Sequence, residues 1–313
     1  MAVIAGFGGR IWQKTFGNWR FRRNFPLYLM LVPMLISLAV FNYAPMYGLL
    51  IAFQEYDPLL GFKGSPFVGL LQFQRLFSDP DVRNVIRNTV VIATGKIILG
   101  QLVSIGFALL LNEVRVRWYK RSVQTISYVL HFVSWVIYGG ILLDVLRLSG
   151  IVNRAIAALG LQPVSFLGNP RVFPLTMIVT DAFKGFGFGA IIYLAALTSI
   201  DPTLHEAAAV DGATRWQRIR YVTLPGIAPT IVLMTSLSLG SILNAGFEQI
   251  LVLYNQVVYS TGDIIDTYVY RASLLGYQFS FGTAVGMFKS VVGFGLLSLS
   301  YWLADRFANY RIF

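Results

Sequence analysis

Asp201–Pro225 reads DPTLHEAAAVDGATRWQRIRYVTLP and lies between two long apolar runs. It is too short for a domain and too rich in helix formers for a linker. Asp201 is placed to cap a helix whose first residue, Pro202, has no N–H to leave unpaired and a φ that is already helical. Leu204, Ala207 and Ala208 follow at helical spacing. Asp211-Gly212 then stops the helix, because glycine accepts the left-handed turn at a helix end. A second short helix carries Trp216, Ile219 and Val222 on one side and Arg215, Arg218 and Arg220 around the rest, and Pro225 is expected to break it. The stretch predicts a helix–turn–helix elbow at a membrane surface. An ordinary helix hairpin is the plainer reading.

The rest of the chain supplies the membrane. Of 313 residues, 56% are hydrophobic and 12% charged, where a soluble domain has roughly 25% charged. Six apolar stretches, near 25–53, 84–112, 122–147, 172–198, 226–253 and 283–305, approach or exceed the roughly 20 residues a helix needs to cross hydrocarbon. The fold class is therefore all-α, with about six transmembrane helices. Pro33 and Pro45 predict a kink or an extension in the first of them. Residues 1–24 combine Arg10, Lys14, Arg20, Arg22 and Arg23 with an aromatic face of Trp12, Phe16 and Trp19, which predicts an amphipathic helix in the headgroup region. The transmembrane domain then runs over 25–313 and carries the 201–225 loop. There is no cysteine, so disulfides and thiolate metal sites are excluded.

A net charge of +11 can signal nucleic-acid binding, but the basic residues fall in the gaps between apolar runs, where they set topology. The N-terminal segment, the 113–121 loop, the 199–225 loop and the C-terminus hold 14 lysines and arginines, and the intervening loops hold 8. The richer set is expected inside, which puts both termini and Asp201–Pro225 in the cytoplasm. Contact of the 113–121 loop with anionic lipid is a secondary expectation.

Glu206-Ala207-Ala208, Gly212 and Val222-x-Leu224-Pro225 resemble the EAA loop of permease subunits of binding-protein-dependent ABC importers, with Val222 where isoleucine is usual. The resemblance implies the type I importer permease fold in a bacterial inner membrane. It also implies that His205, Glu206, Ala207, Ala208, Asp211, Gly212, Ala213, Arg215, Leu224 and Pro225 couple the chain to an ATPase. The outer loop Phe67–Thr89, with Ser78-Asp79-Pro80, is similar to carbohydrate-importer permeases. The tyrosine-rich Leu253–Ser290 resembles the branch handling oligosaccharides from uronate-containing polysaccharides such as alginate and rhamnogalacturonan. A second homologous permease, two ATPase subunits, an extracytoplasmic sugar-binding protein and membrane lipid are the implied partners. No Gly-x-x-x-x-Gly-Lys-Ser/Thr loop occurs, so ATP and Mg are expected on the partner ATPase and no cofactor on this chain. Lys184-Gly185-Phe186-Gly187-Phe188-Gly189 is read instead as a close helix contact.

Polar groups inside apolar spans tend to face a bundle interior or an aqueous cavity. Ser236, Gly240, Asn244 and Glu248 recur every four residues and predict a polar stripe on the fifth span. That stripe either lines the sugar path, with Phe247 or Tyr254 stacking on pyranose rings, or forms a hydrogen-bonding seam between helices. Lys184 and Lys289 complete the pathway candidates. Asp181 and Lys184, three apart, are expected to neutralise each other. Lys96 is expected either to line the path or to snorkel, and Lys289 to meet a carboxylate or a partner. His131 and His205 lack metal-ligand spacing, and no catalytic constellation converges. The chain is thus read as an oligosaccharide importer permease, not an enzyme. An ion-gradient-driven transporter or channel is the competing class.

Overall fold

The structure, a computed structural model, describes residues 23–308, with side chains as far as residue 302. The amphipathic segment expected at 1–24 lies outside the described residues apart from its last two. Among the described residues there is no strand, only one isolated bridge between Gln54 and Phe67. Helix α1 spans Arg23–Phe53. After the short α2 (Leu71–Ser78) comes α3, Pro80–Glu113, capped by Asp79, whose Oδ1 accepts from the Asp81 N–H at 2.9 Å. With 34 residues, roughly 51 Å at the α-helical rise, α3 overshoots the bilayer and absorbs part of the loop expected at Phe67–Thr89.

The third span is not one helix but two, α4 (Arg117–Phe132) and α5 (Trp135–Leu146), parted at Val133-Ser134. By length and hydropathy alone Trp135–Ala158 would also cross. However, the chain turns at 147–150, and Asn153 ties the next helix, α6 (Ile151–Ala158), back to the carbonyls of Arg147 and Val164. The crossing is therefore α4 with α5. Helix α7 (Phe173–Thr198) leads to the elbow helix α8 (Pro202–Val210), and α9 runs over Arg215–Gly240. The fifth span, expected to continue to 253, instead opens at 241–246 and resumes as α10 (Phe247–Leu253). The short α11 (Ile265–Val269) precedes α12 (Phe279–Ala308).

Pro225 does not end its helix. A π turn over Ile219–Thr223 sends the Leu224 N–H to the Ile219 carbonyl, and the helix continues through Pro225 and Pro229. The same device precedes Pro45, where Ala44 N–H bonds Ala39 O. The α-helix thus restarts with the proline in its first turn, where proline is tolerated.

Helices α3 and α7 pack along much of their length, α4 lies on α7, α9 on α12, and α5 on α10. Through residues 25–46, α1 exposes nearly all its side chains, and its last turns rest on α12. The core has two levels. Ala108, Ala190, Tyr193, Leu197 and Ile227 form it at the elbow end. At the far end Ile92, Phe173, Met177, Ala245 and Ile250 form one cluster and Leu76, Val85, Ile265 and Phe281 another. The glycine-rich run in α7 is a close contact as expected: a Cβ on Gly187 would sit 2.6 Å from the Ser127 carbonyl oxygen of α4, and one on Gly189 would sit 2.5 Å from Ser104 Oγ. Gly185 has open space instead. Because the obstacle at Gly187 is backbone, Gly187→Val is expected to cost about 1–3 kcal/mol by forcing α4 away. It would be read as a lower unfolding midpoint in detergent, with Gly185→Val near the parent value.

Candidate functional site

The elbow is built from local chemistry. Asp201 Oδ1 accepts from the Thr203 N–H at 2.9 Å, and that hydrogen bond holds its carboxyl below the ordinary carboxylate range. At the other end of α8, Gly212 takes φ +77°. Its N–H bonds Ala209 O at 3.1 Å, while the Ala213 N–H reaches Ala208 O at 2.9 Å. These are the two crossed bonds of a Schellman cap. Thr214 and Gln217 form a capping box that starts α9. No residue of α8 is buried. Glu206, Ala207, Asp211, Gly212, Arg215 and Pro225 are exposed, and His205, Ala208, Ala213 and Leu224 are half-buried. All the predicted coupling residues thus lie in this one elbow. Apolar side chains there face outward too: Val210 is 88% exposed and Trp216 70%.

A second polar region lies within the bundle, between the two levels of apolar core. Lys96, halfway along α3, donates to Ala245 O at 2.7 Å and to Gln249 Oε1, and stands 3.4 Å from Asp181 Oδ1. Gln249, fully buried, in turn donates to Met177 O and Thr180 Oγ1, each at 2.9 Å. Lys184 donates to His131 O at 2.8 Å and lies 5.1 Å from the centre of the Trp135 ring. The expected Asp181–Lys184 pair is absent: Asp181 joins Lys96 across helices, and Lys184 caps the end of α4. Nor does Lys96 snorkel, because it is 9% exposed. Lys289, a pathway candidate, pairs instead with a carboxylate of this chain, Asp266 at 2.5 Å.

The pathway candidates separate into distinct places. Ser236 O accepts from Ser300 Oγ at 3.1 Å, and Gly240 lies against Leu297, so this half of the stripe is a seam with α12. The break after Gly240 then destroys the period of four. Asn244 lines a hollow of about 220 Å³ with Lys96, Asp181 and Ser241, and another of about 420 Å³ with Lys289, Ser290 and Gly293. Glu248 is exposed beyond the break and makes no hydrogen bond or ion pair. Phe247 packs on Tyr270 at 5.7 Å, and Tyr254 on Tyr259 at 5.1 Å, away from both hollows. Gln249 and Gly246 had no sequence signal, since their importance comes from the break itself.

Leu253–Ser290 folds onto the far end of the bundle. Asn88 of α3 donates to the carbonyls of Ser260 and Asp263, and Thr89 Oγ1 accepts from the Ile265 N–H. Arg271 pairs with buried Asp263 at 2.5 Å and covers the Tyr259 ring at 4.3 Å. Burial, then the charge and hydrogen bonding of neighbours, push the Tyr254 phenol up to about 12.

Membrane-length helices around an internal polar layer, with an exposed elbow between the fourth and fifth crossings, define a multi-pass membrane transport component. The chain belongs to the family of binding-protein-dependent transport system inner membrane components, which it matches over residues 104–309. In such systems the ATPase is a separate subunit. The polygalacturonan/rhamnogalacturonan transport system permease protein YteP of Bacillus subtilis is 42% identical over 288 residues, covering 92% of this chain and 90% of that one. Protein LplB of the same organism is 40% identical over 293 residues, 93% of this chain and 92% of that one. Among solved structures, a chain of a bacterial alginate ABC transporter in complex with an alginate pentasaccharide-bound periplasmic protein superposes with TM-score 0.84 at 38% identity, covering 94% of this chain and 98% of that chain.

One pH response follows from the far-end cluster. Tyr268 donates to Asp79 Oδ2 at 3.0 Å, and burial followed by that bond raises its phenol to about 12. A raised phenol favours the neutral form in the fold, so its contribution is whole below the ordinary value near 10 and is lost as pH climbs through about 12. An alkaline titration followed by tyrosinate absorbance is expected to show a late component that Tyr268→Phe removes in part and Asp79→Asn shifts downward.

Proposed function

We propose that this chain is one of two homologous permease subunits of an ATP-driven importer for oligosaccharides, acidic uronate-containing ones in particular. The observation that carries this reading is the elbow: a stiff, capped helix with no buried residue, presenting Leu204 and Val210 outward from a bundle that needs neither for its own core. That is the surface a partner ATPase would grip, which supports assigning His205, Glu206, Ala207, Ala208, Asp211, Gly212, Ala213, Arg215, Leu224 and Pro225 to coupling. The similarity to the polygalacturonan and alginate systems supports the acidic cargo. On this reading both termini and the elbow face the cytoplasm, two ATPase copies bind ATP and Mg, and an extracytoplasmic binding protein delivers the sugar.

The motion that fits is alternating access. ATP closes the ATPase pair, the two elbows are drawn together, and the bundles tilt to open outward; hydrolysis restores the inward-open state. Because α9 is continuous from Arg215 to Gly240, it links the elbow to the break over roughly 39 Å. The substrate residue on this reading is Asn244; Lys289 lines the same hollow but is paired with Asp266. Phe247, Glu248, Tyr254 and Lys184 do not line it.

The test is reconstitution in proteoliposomes with the second permease, the ATPase and the binding protein, using a panel of neutral and acidic oligosaccharides. Glu206→Ala is expected to lower uptake per ATP hydrolysed about tenfold, or ~1.4 kcal/mol of coupling, with the permease still folded. Gly212→Pro would act likewise through the lost cap. Uptake at full rate without the ATPase would instead favour an ion-gradient transporter.

A further inference from the structure

The fifth span breaks at 241–246, and three helices converge there through Lys96, Asp181 and Gln249. Hydrocarbon offers backbone no hydrogen bonds, so a break is tolerated there only where protein or a water-lined cavity meets its polar groups. The Ala245 carbonyl is met by Lys96 Nζ from α3. The next residue, Gly246, has φ +90°, and a Cβ there would come 2.6 Å from that same Nζ. Break and lysine are therefore fitted to each other. An ammonium has three N–H donors. Two of those of Lys96 go to Ala245 O and Gln249 Oε1, and Asp181 Oδ1 stands 3.4 Å away as the counter-charge, so the ammonium is engaged by the chain itself. Asn244, one residue before Ala245, is the opposite case. It is exposed, its side chain makes no hydrogen bond among the described residues, and it lines both hollows. An amide offers donors and acceptors together, which suits sugar hydroxyls.

We propose that Lys96 is a positioning residue for transport: by holding the Ala245 carbonyl it fixes the broken segment 241–246, and so keeps the Asn244 amide where the two hollows meet. Asp181 and Gln249 are the other two anchors of the clamp, which ties α3, α7 and α10 to the break. Lys184 makes a comparable bond to the other interrupted span, at His131 O, but lines neither of the two hollows that Asn244 joins. The proposal rests on the permease reading for its role in transport, whereas the geometry it asserts can be tested without sugar or ATP.

The chain has no cysteine, so single cysteines can be placed in its natural sequence. The complex carrying Asn244→Cys, purified with its partner subunits, would be treated with a cationic methanethiosulfonate reagent. Ser290→Cys, on the α12 wall of the larger hollow, serves as the reference. Asn244→Cys is expected to react. Adding Lys96→Met is expected to change its rate about tenfold or more, the scale of one charged hydrogen bond, with Ser290→Cys unchanged. Lys96→Arg, which keeps donors and charge, is expected to restore the rate to within about threefold. Where Lys96→Met does not assemble, the Lys96→Met/Asp181→Asn pair removes both charges, and Gly246→Ala displaces the ammonium while leaving it in place. Either is expected to shift the Asn244→Cys rate alone. An unreactive Asn244→Cys in the parent complex, or a rate unaffected by every change at Lys96 and Gly246, overturns the proposal. A transport failure with the labelling pattern intact would count against the permease reading instead.

Discussion

A backbone carbonyl in hydrocarbon has no water to turn to, and this constraint shapes the middle of the bundle. The chain interrupts two of its crossings, at Val133-Ser134 and at 241–246, and answers each break with a lysine from a neighbouring helix. An unsatisfied backbone group there would cost several kcal/mol. A charged donor is a strong remedy, but it brings a desolvation cost of its own. Lys96 offsets that cost with Asp181, and Lys184 with the face of Trp135. The polar layer between the two levels of core is therefore the condition under which broken helices can exist in this fold.

This use of charge bears on how an acidic sugar would be handled. Lys96 is matched by Asp181, Lys289 by Asp266 and Arg271 by Asp263. The cations that composition alone would assign to an anion-attracting cavity are thus committed to carboxylates of the same chain. On the proposed reading, recognition in the hollows rests on neutral groups such as the Asn244 amide. A path that binds weakly also releases readily, which suits a conduit supplied by a separate binding protein.

The elbow obeys the opposite logic. It leaves apolar side chains exposed and spends its polar groups on stiffness: Asp201 at one end of α8, the crossed bonds at Gly212, and the Thr214–Gln217 box at the start of α9. The helix then continues past the π turn and Pro225 to Gly240, where the break begins.

The sequence by itself determined the membrane class, the six apolar crossings, the caps of α8 and the close contact at Gly187, because each is set by composition or by neighbours within one helical turn. Tertiary structure decided the rest. The fifth-span stripe failed after Gly240, since a break resets the helical phase and turns Gln249 rather than Glu248 into the core. Asp181 took Lys96 in place of Lys184, because an unpaired carbonyl at the end of α4 competed for Lys184 and a neighbouring helix delivered the better cation. The missing N–H of Pro225 is a local signal for a stop, whereas the π turn that carries the helix past it belongs to a helix packed against its neighbours. Spacing along a chain foretells bonds within a turn; which carbonyl goes unmet, and which lysine reaches it, depends on how helices far apart in sequence come to lie side by side.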